Sequence, residues 1–224
     1  MKSVFLEQWA DLLQLASARV AQIANDAVCA RGIFHCVLAG GETPRALYAQ
    51  LKNIQTNWSL WRFWFGDERC LADGDSGRNS TMVQSALFDH IPVSNDQIEQ
   101  IPGELGAEAA ASIYSQKLAT APVFDLVLLG LGEDGHIASL FPGNDIGAEE
   151  SSPDVLAVFD APKPPPERVS LGIKRLLRSR QIVFIAAGNS KRTAVKSLQN
   201  GEAIPASALL GHKSAELLFS AELG

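Results

Sequence analysis

The pair of residues with the most chemistry in this 224-residue sequence is Asp134 and His136, two apart in Gly130-Leu131-Gly132-Glu133-Asp134-Gly135-His136. In a non-helical loop, side chains at that spacing can face the same side, whereas on a helix they diverge. Asp134 can then orient the imidazole and leave its second ring nitrogen free as a base. The competing reading is a hydrogen-bonded structural histidine. The stretch also spells GxGxxG at 130, 132 and 135, but a dinucleotide fingerprint should open a full crossover helix. Here Pro142-Gly143 arrives six residues after His136, too soon for such a helix.

Three other clusters carry charge or free backbone amides. Gly40-Gly41-Glu42-Thr43-Pro44 offers glycines that let amides approach a ligand, with Thr43 expected as helix N-cap and Pro44 as first helical residue. That is a phosphate cradle by construction, though not a Walker A loop, since GxxxxGK[ST] is absent. Gly66-Asp67-Glu68-Arg69 places a guanidinium where it could grip an oxyanion or phosphate. In Gly188-Asn189-Ser190-Lys191-Arg192 the cations are expected in a first helical turn, where they oppose the helix dipole. A bound anion would explain them, with Lys191 as its ligand. Taken singly, each cluster is equally a plain turn, an internal ion pair or a solvated basic patch. No GxSxG elbow and no nucleophile motif around a cysteine occurs, so covalent catalysis has no support.

The elements that must position these groups are legible in the apolar pattern. Trp9, Leu12, Leu13, Ala16, Val20, Ile23 and Ala27 recur at helical spacing, predicting one long amphipathic helix that stops near Arg31-Gly32. Four near-continuous apolar runs, 34–39, 61–65, 124–129 and 182–187, read as strands buried on both faces of a parallel sheet. Helical patterns at 44–51, 81–88, 107–118 and 191–198 alternate with them. The expectation is a doubly wound, mostly parallel α/β sheet with helices on both faces, a Rossmann-like single domain over residues 1–224. Each run leads into a glycine-bearing loop, and ligands of such sheets bind beyond the carboxyl ends of the strands. The proline-rich segment 160–167, DAPKPPPE, reads as an extended surface loop inside that domain.

Composition narrows the partners. Nineteen Lys and Arg against 25 Asp and Glu leave a net charge of −6, a poor basis for binding a phosphate backbone, so nucleic acid is not expected. The apolar runs are too short to span a bilayer and the N-terminal stretch is broken by Glu7 and Asp11, so neither a membrane nor a secretory signal is expected. Three cysteines without a CxxC suggest neither a disulfide framework nor zinc, and a reducing cytoplasm fits best. The Asp73-x-Asp75 spacing hints at calcium, but Gln84 stands where an EF-hand needs Glu.

Taken together, GGETPRALY at 40–48, WFGDER at 64–69, Asn79-Ser80, FDLVLLGLGEDGHIASLFPG at 124–143, and RVSLGIKRLL followed by FIAAGNSKR up to 192 resemble the 6-phosphogluconolactonase family. The resemblance implies hydrolysis of 6-phosphoglucono-1,5-lactone to 6-phosphogluconate in the oxidative pentose phosphate pathway, with no metal or organic cofactor. It implies His136 as general base with Asp134 beside it, Gly40, Gly41, Thr43 and Pro44 as the sugar-phosphate loop, and Arg69 and Lys191 as anion-binding residues. The partner is a small phosphorylated sugar lactone, and the chain a monomer or weak homo-oligomer. Glucosamine-6-phosphate deaminases are similar in fold and share the DGHIA core, but continue as Phe-Asn-Glu-Pro where this chain has Ser139-Leu140-Phe141-Pro142. A non-catalytic sugar-phosphate-binding module is the remaining alternative. Two departures from the family stand out: Glu42 replaces a frequent serine, so its side chain must point away from an anion, and Lys174 interrupts an expected proline-containing stretch, which leaves Arg168, Lys174 and Arg175 without a role.

Overall fold

Phe34–Leu38 (β2), Trp61–Phe65 (β3), Phe124–Leu129 (β6) and Ser179–Ala187 (β9) are the four apolar runs, and they lie side by side in one sheet. The structure is a computed structural model describing residues 1–223. Lys2–Leu6 (β1), Ile98–Glu99 (β5) and Ala215–Ser220 (β10) complete a seven-stranded sheet of order β1-β10-β9-β6-β2-β3-β5. Every pairing in it is parallel. All six residues of β6 are buried, the burial on both faces that a continuous apolar run requires.

The helices fall where the periodicity puts them: Trp9–Arg31 (α1), Glu42–Leu51 (α2), Asn79–Ala86 (α3), Ala107–Ala119 (α4) and Arg192–Asn200 (α6), with a short Ile173–Leu177 (α5) in addition. α1 ends on Gly32 in the left-handed region at φ 76°, its N–H donating to Val28 O, as a glycine after a terminal arginine should. Among the described residues no helix is long and apolar enough to cross a membrane. A second sheet, not foreseen from the pattern, is antiparallel and small: Asp67–Arg69 (β4), Arg168–Leu171 (β8) and Val155–Val158 (β7), ordered β4-β8-β7. Its strands are three or four residues long, shorter than a periodic signal needs.

The strand order has its switch point between β2 and β6, since the chain leaves β2 toward β3 and leaves β6 toward β9 on the other side. Ligands of open α/β sheets bind at that point. The strand ends beside it are held by the chain's two tyrosines. Tyr48 Oη accepts from Ala39 N and donates to Ala39 O, both at 2.8 Å; Tyr114 Oη does the same for Phe65 at 3.0 Å. Both rings are fully buried. Each phenol satisfies the peptide that no neighbouring strand reaches, and so fixes the exit of the chain into Gly40 and Gly66.

Candidate active site

The loop after β6 runs on without a helix and folds into a tight turn. Gly132 N donates to His136 O at 2.8 Å and Gly135 N to Gly132 O at 3.1 Å. Asp134 Oδ1 lies 2.5 Å from His136 Nδ1 and accepts from the His136 backbone N–H at 3.1 Å. A carboxylate only accepts, so Nδ1 is the donor of this contact, and in the neutral imidazole the lone pair is then on Nε2. Among the described residues Nε2 has no hydrogen-bond partner. Burial works against ionisation of Asp134, but the His136 backbone and ring outweigh it and hold the carboxyl below its usual value. Two glycines make the turn feasible. A Cβ on Gly132 would stand 2.0 Å from His136 Nδ1, and Gly135, at φ 83°, would meet Ile204 at 2.7 Å. The imidazole packs on Phe141 with ring centroids 4.8 Å apart.

His136 opens onto a cavity of about 460 Å³ that Gly40, Gly41, Thr43, Pro44, Arg69 and Lys191 also line. The structure thus brings together every site residue read from the sequence, with Asp134 directly behind the histidine. The capping of α2 differs from expectation. Gly41, at φ 101°, occupies the N-cap position with no side-chain cap, the helix begins at Glu42, and Pro44 is its third residue rather than its first. An acidic residue suits the positive end of a helix, and proline is tolerated throughout the first turn, so both choices are physically sound. Thr43 is left facing the cavity instead of closing the helix. Glu42 also lines the cavity, but its carboxylate is paired with Arg45, 2.6 Å away. Gly40 is a close-approach glycine, because a Cβ there would fall 2.1 Å from Asn79 Oδ1.

Lys191 sits in the single 3-10 turn Asn189–Lys191 just before α6 and faces the cavity. Desolvation pushes its ammonium below the ordinary lysine value, the more so with Lys163 close by, while Glu133 partly offsets this. Arg69 donates NH1 to Gly77 O at 2.5 Å, and its Nε is enclosed without a partner. Asp67 and Glu68 are buried. Glu68 accepts from Arg69 N, Asn79 N and Ser80 N at 2.7–2.9 Å, capping α3. Asp67, which helps to line the cavity, accepts from Asn79 Nδ2 at 3.0 Å and Ser139 Oγ at 2.6 Å.

Two cationic residues of the cavity were assigned no role from the sequence: Arg168 at the start of β8, and Lys163 in the proline-rich loop. Arg168 is 5% exposed, lies over Phe141 with Cζ 5.5 Å from the ring centroid, and is held below the ordinary arginine value chiefly by desolvation. Lys174 and Arg175 lie elsewhere. Lys174 Nζ donates to the carbonyls of Glu150 and Ser152, and Arg175 stacks on Phe124 at 3.9 Å. Both hold loops to the scaffold. The calcium-like Asp75 closes a turn by accepting from Gly77 N at 2.7 Å.

Residues 7–219 match the family model described as glucosamine-6-phosphate isomerases/6-phosphogluconolactonase. The chain belongs to this family. Among its curated relatives, the 6-phosphogluconolactonase of Streptomyces coelicolor is 37% identical over 208 residues, covering 85% of this chain and 79% of the relative. That of Mycobacterium leprae is 36% identical over 224 residues, covering 92% and 90%. The crystal structure of a 6-phosphogluconolactonase from Shewanella baltica superposes with a TM-score of 0.89 at 27% identity, covering 99% of this chain and 98% of the other. The fold is thus shared closely with that structure.

Proposed function

We propose that this protein is a 6-phosphogluconolactonase that hydrolyses 6-phosphoglucono-1,5-lactone by general-base catalysis through His136. The observation that carries the reading is the Asp134–His136 pair: an imidazole protonated on Nδ1 by its contact with a carboxylate, its Nε2 unengaged, at the wall of a cavity that four cationic side chains line. The four are Arg69, Lys163, Arg168 and Lys191; of the acidic residues that also line it, Glu42 is paired with Arg45 and Asp67 is bonded to Asn79 and Ser139, so with Glu133 counted a positive excess remains for a phosphate to meet.

Water held at Nε2 gives up a proton to the imidazole as its oxygen attacks the lactone carbonyl carbon. Asp134 steadies the resulting imidazolium. Negative charge collects on the former carbonyl oxygen, where Arg69 stands ready to meet it. The bond from that carbon to the ring oxygen then breaks, and the imidazolium returns its proton to the departing oxygen. The product acid ionises and releases one proton to solution. A lactone is an activated ester, so general-base assistance of roughly 10²- to 10⁴-fold suffices, with no covalent intermediate. The amides that open α2, unpaired within the helix, and Lys191 take the phosphate in this scheme. All the groups with a role come from one chain, which we read as a single catalytic unit.

The experiment is to follow proton release from freshly generated 6-phosphoglucono-1,5-lactone at constant pH, with and without the protein. Decay no faster than the spontaneous rate would overturn the reading. The sister activity in the family is tested in parallel by ammonia release from glucosamine 6-phosphate. None is expected, because residues 139–142 supply no carboxylate where the deaminases carry one.

A further inference from the structure

The proline-rich segment 160–167 is tied to the cavity by an unusual set of bonds. It closes on itself through Ala161 N donating to Pro166 O at 3.1 Å. Arg168 grips it from below, with Nε donating to Pro165 O at 3.1 Å and NH2 to Lys163 O at 2.7 Å. Pro164, Pro165 and Pro166 have no N–H of their own, so the segment offers carbonyls without competing donors. Two of the five guanidinium N–H groups are spent on the loop and three remain. Lys163 and Pro164 are exposed yet line the cavity. Neither Lys163 nor Lys191 has a carboxylate within 4.0 Å among the described residues. Two ammonium groups therefore face one cavity without a direct ion pair, Glu133 in its lining offsetting Lys191 only in part.

We propose that this segment is a substrate clamp, in which Lys163 is a further binding residue for the phosphate of the substrate and the Arg168–carbonyl bonds hold it over the cavity. The proposal rests on the reading of the cavity as a site for a phosphorylated lactone. It gives the polyproline stretch a reason: fixed φ angles keep a lysine poised at the mouth without secondary structure, at a low entropic cost on binding. It also couples two cations, since the loop that carries Lys163 sets the direction of the N–H groups Arg168 has left.

The test compares wild type, Lys163→Ala and Lys163→Arg on 6-phosphoglucono-1,5-lactone and on unphosphorylated glucono-1,5-lactone. Lys163→Ala should raise KM for the phosphorylated lactone about 10-fold, the scale of one charge-assisted bond at a partly exposed site. Its kcat should stay within roughly two-fold, and the unphosphorylated lactone should lose no more than that. Lys163→Arg should restore most of the affinity. An unchanged KM on the phosphorylated lactone, or equal losses on both, would overturn the clamp. If the wild type accelerates neither lactone, the lactonase reading falls by itself. Titration of wild type and Lys163→Ala with 6-phosphogluconate then decides the clamp, with weaker binding to the variant expected and equal binding contradicting it.

Discussion

Ser139 Oγ donates to Asp67 Oδ2 at 2.6 Å across 72 residues of sequence, joining the loop that carries His136 to the strand that follows β3. Both residues are buried. Ser139→Ala would leave a buried carboxylate oxygen short of a donor, at a cost of about 1–3 kcal/mol. The urea midpoint should fall accordingly while the slope of the transition stays the same. A midpoint equal to wild type would show that this bond does not hold the loop.

Asp134→Asn keeps the size of the side chain but removes its charge and replaces one of its two acceptor oxygens by a donor. The amide can donate to Nδ1 instead, leaving the wrong nitrogen basic. We expect kcat to fall by roughly 10- to 100-fold with 6-phosphogluconate affinity retained. A loss as large as that of removing His136 would give Asp134 a direct role rather than an orienting one.

Lys191→Ala should raise KM for the phosphorylated lactone more than it lowers kcat, as loss of uniform binding does. The comparison is phosphorylated against unphosphorylated lactone, and equal discrimination by variant and wild type would exclude Lys191 from the phosphate. Because desolvation lowers its pKa, this lysine loses its charge at a lower pH than a solvated one. Affinity for 6-phosphogluconate is therefore full well below that pKa and declines as pH rises through it. The decline should set in at lower pH than an ordinary lysine would give, and should vanish in Lys191→Ala.

Arg69 has one N–H on Gly77 O and an enclosed Nε, so its guanidinium is fixed in direction and presents few donors to a ligand. Arg69→Lys loses the Gly77 bond and the planar fork together. If Arg69 meets the charge that develops in the transition state, kcat and kcat/KM fall together; a loss confined to KM would move it to the phosphate. Unchanged kinetics in Arg69→Ala would remove it from the site.

What was legible in the sequence is what strong periodicity or tight spacing encodes. α1 repeats its apolar face over 23 residues and ends on a glycine, and the central strands are uninterrupted apolar runs. Asp134 and His136 are readable because only a non-helical loop lets a two-residue spacing converge. The edge strand β1 was missed because it is short and only partly buried, with Lys2 and Phe5 exposed. The small sheet was missed because its strands fall below the length of any period, and with it went Arg168, whose place in the cavity comes from pairing with Arg69 across β4 and β8. The capping of α2 was misplaced because the chain turns into the helix at Gly41, whose φ of 101° a glycine allows, two residues before Thr43, and no side chain caps its first amides. Lys163 could have been found from its place between prolines, which stiffen a loop for some purpose, but which cavity it serves depends on long-range contacts.

The measurement closest to the central claim is the turnover of His136→Asn on 6-phosphoglucono-1,5-lactone, alongside its affinity for 6-phosphogluconate by calorimetry. Asparagine fills similar space and still bonds, but cannot take a proton from water. The account predicts a fall in kcat of roughly 10²- to 10⁴-fold with product affinity and thermal midpoint close to wild type. Near wild-type turnover in a folded, product-binding variant would contradict it.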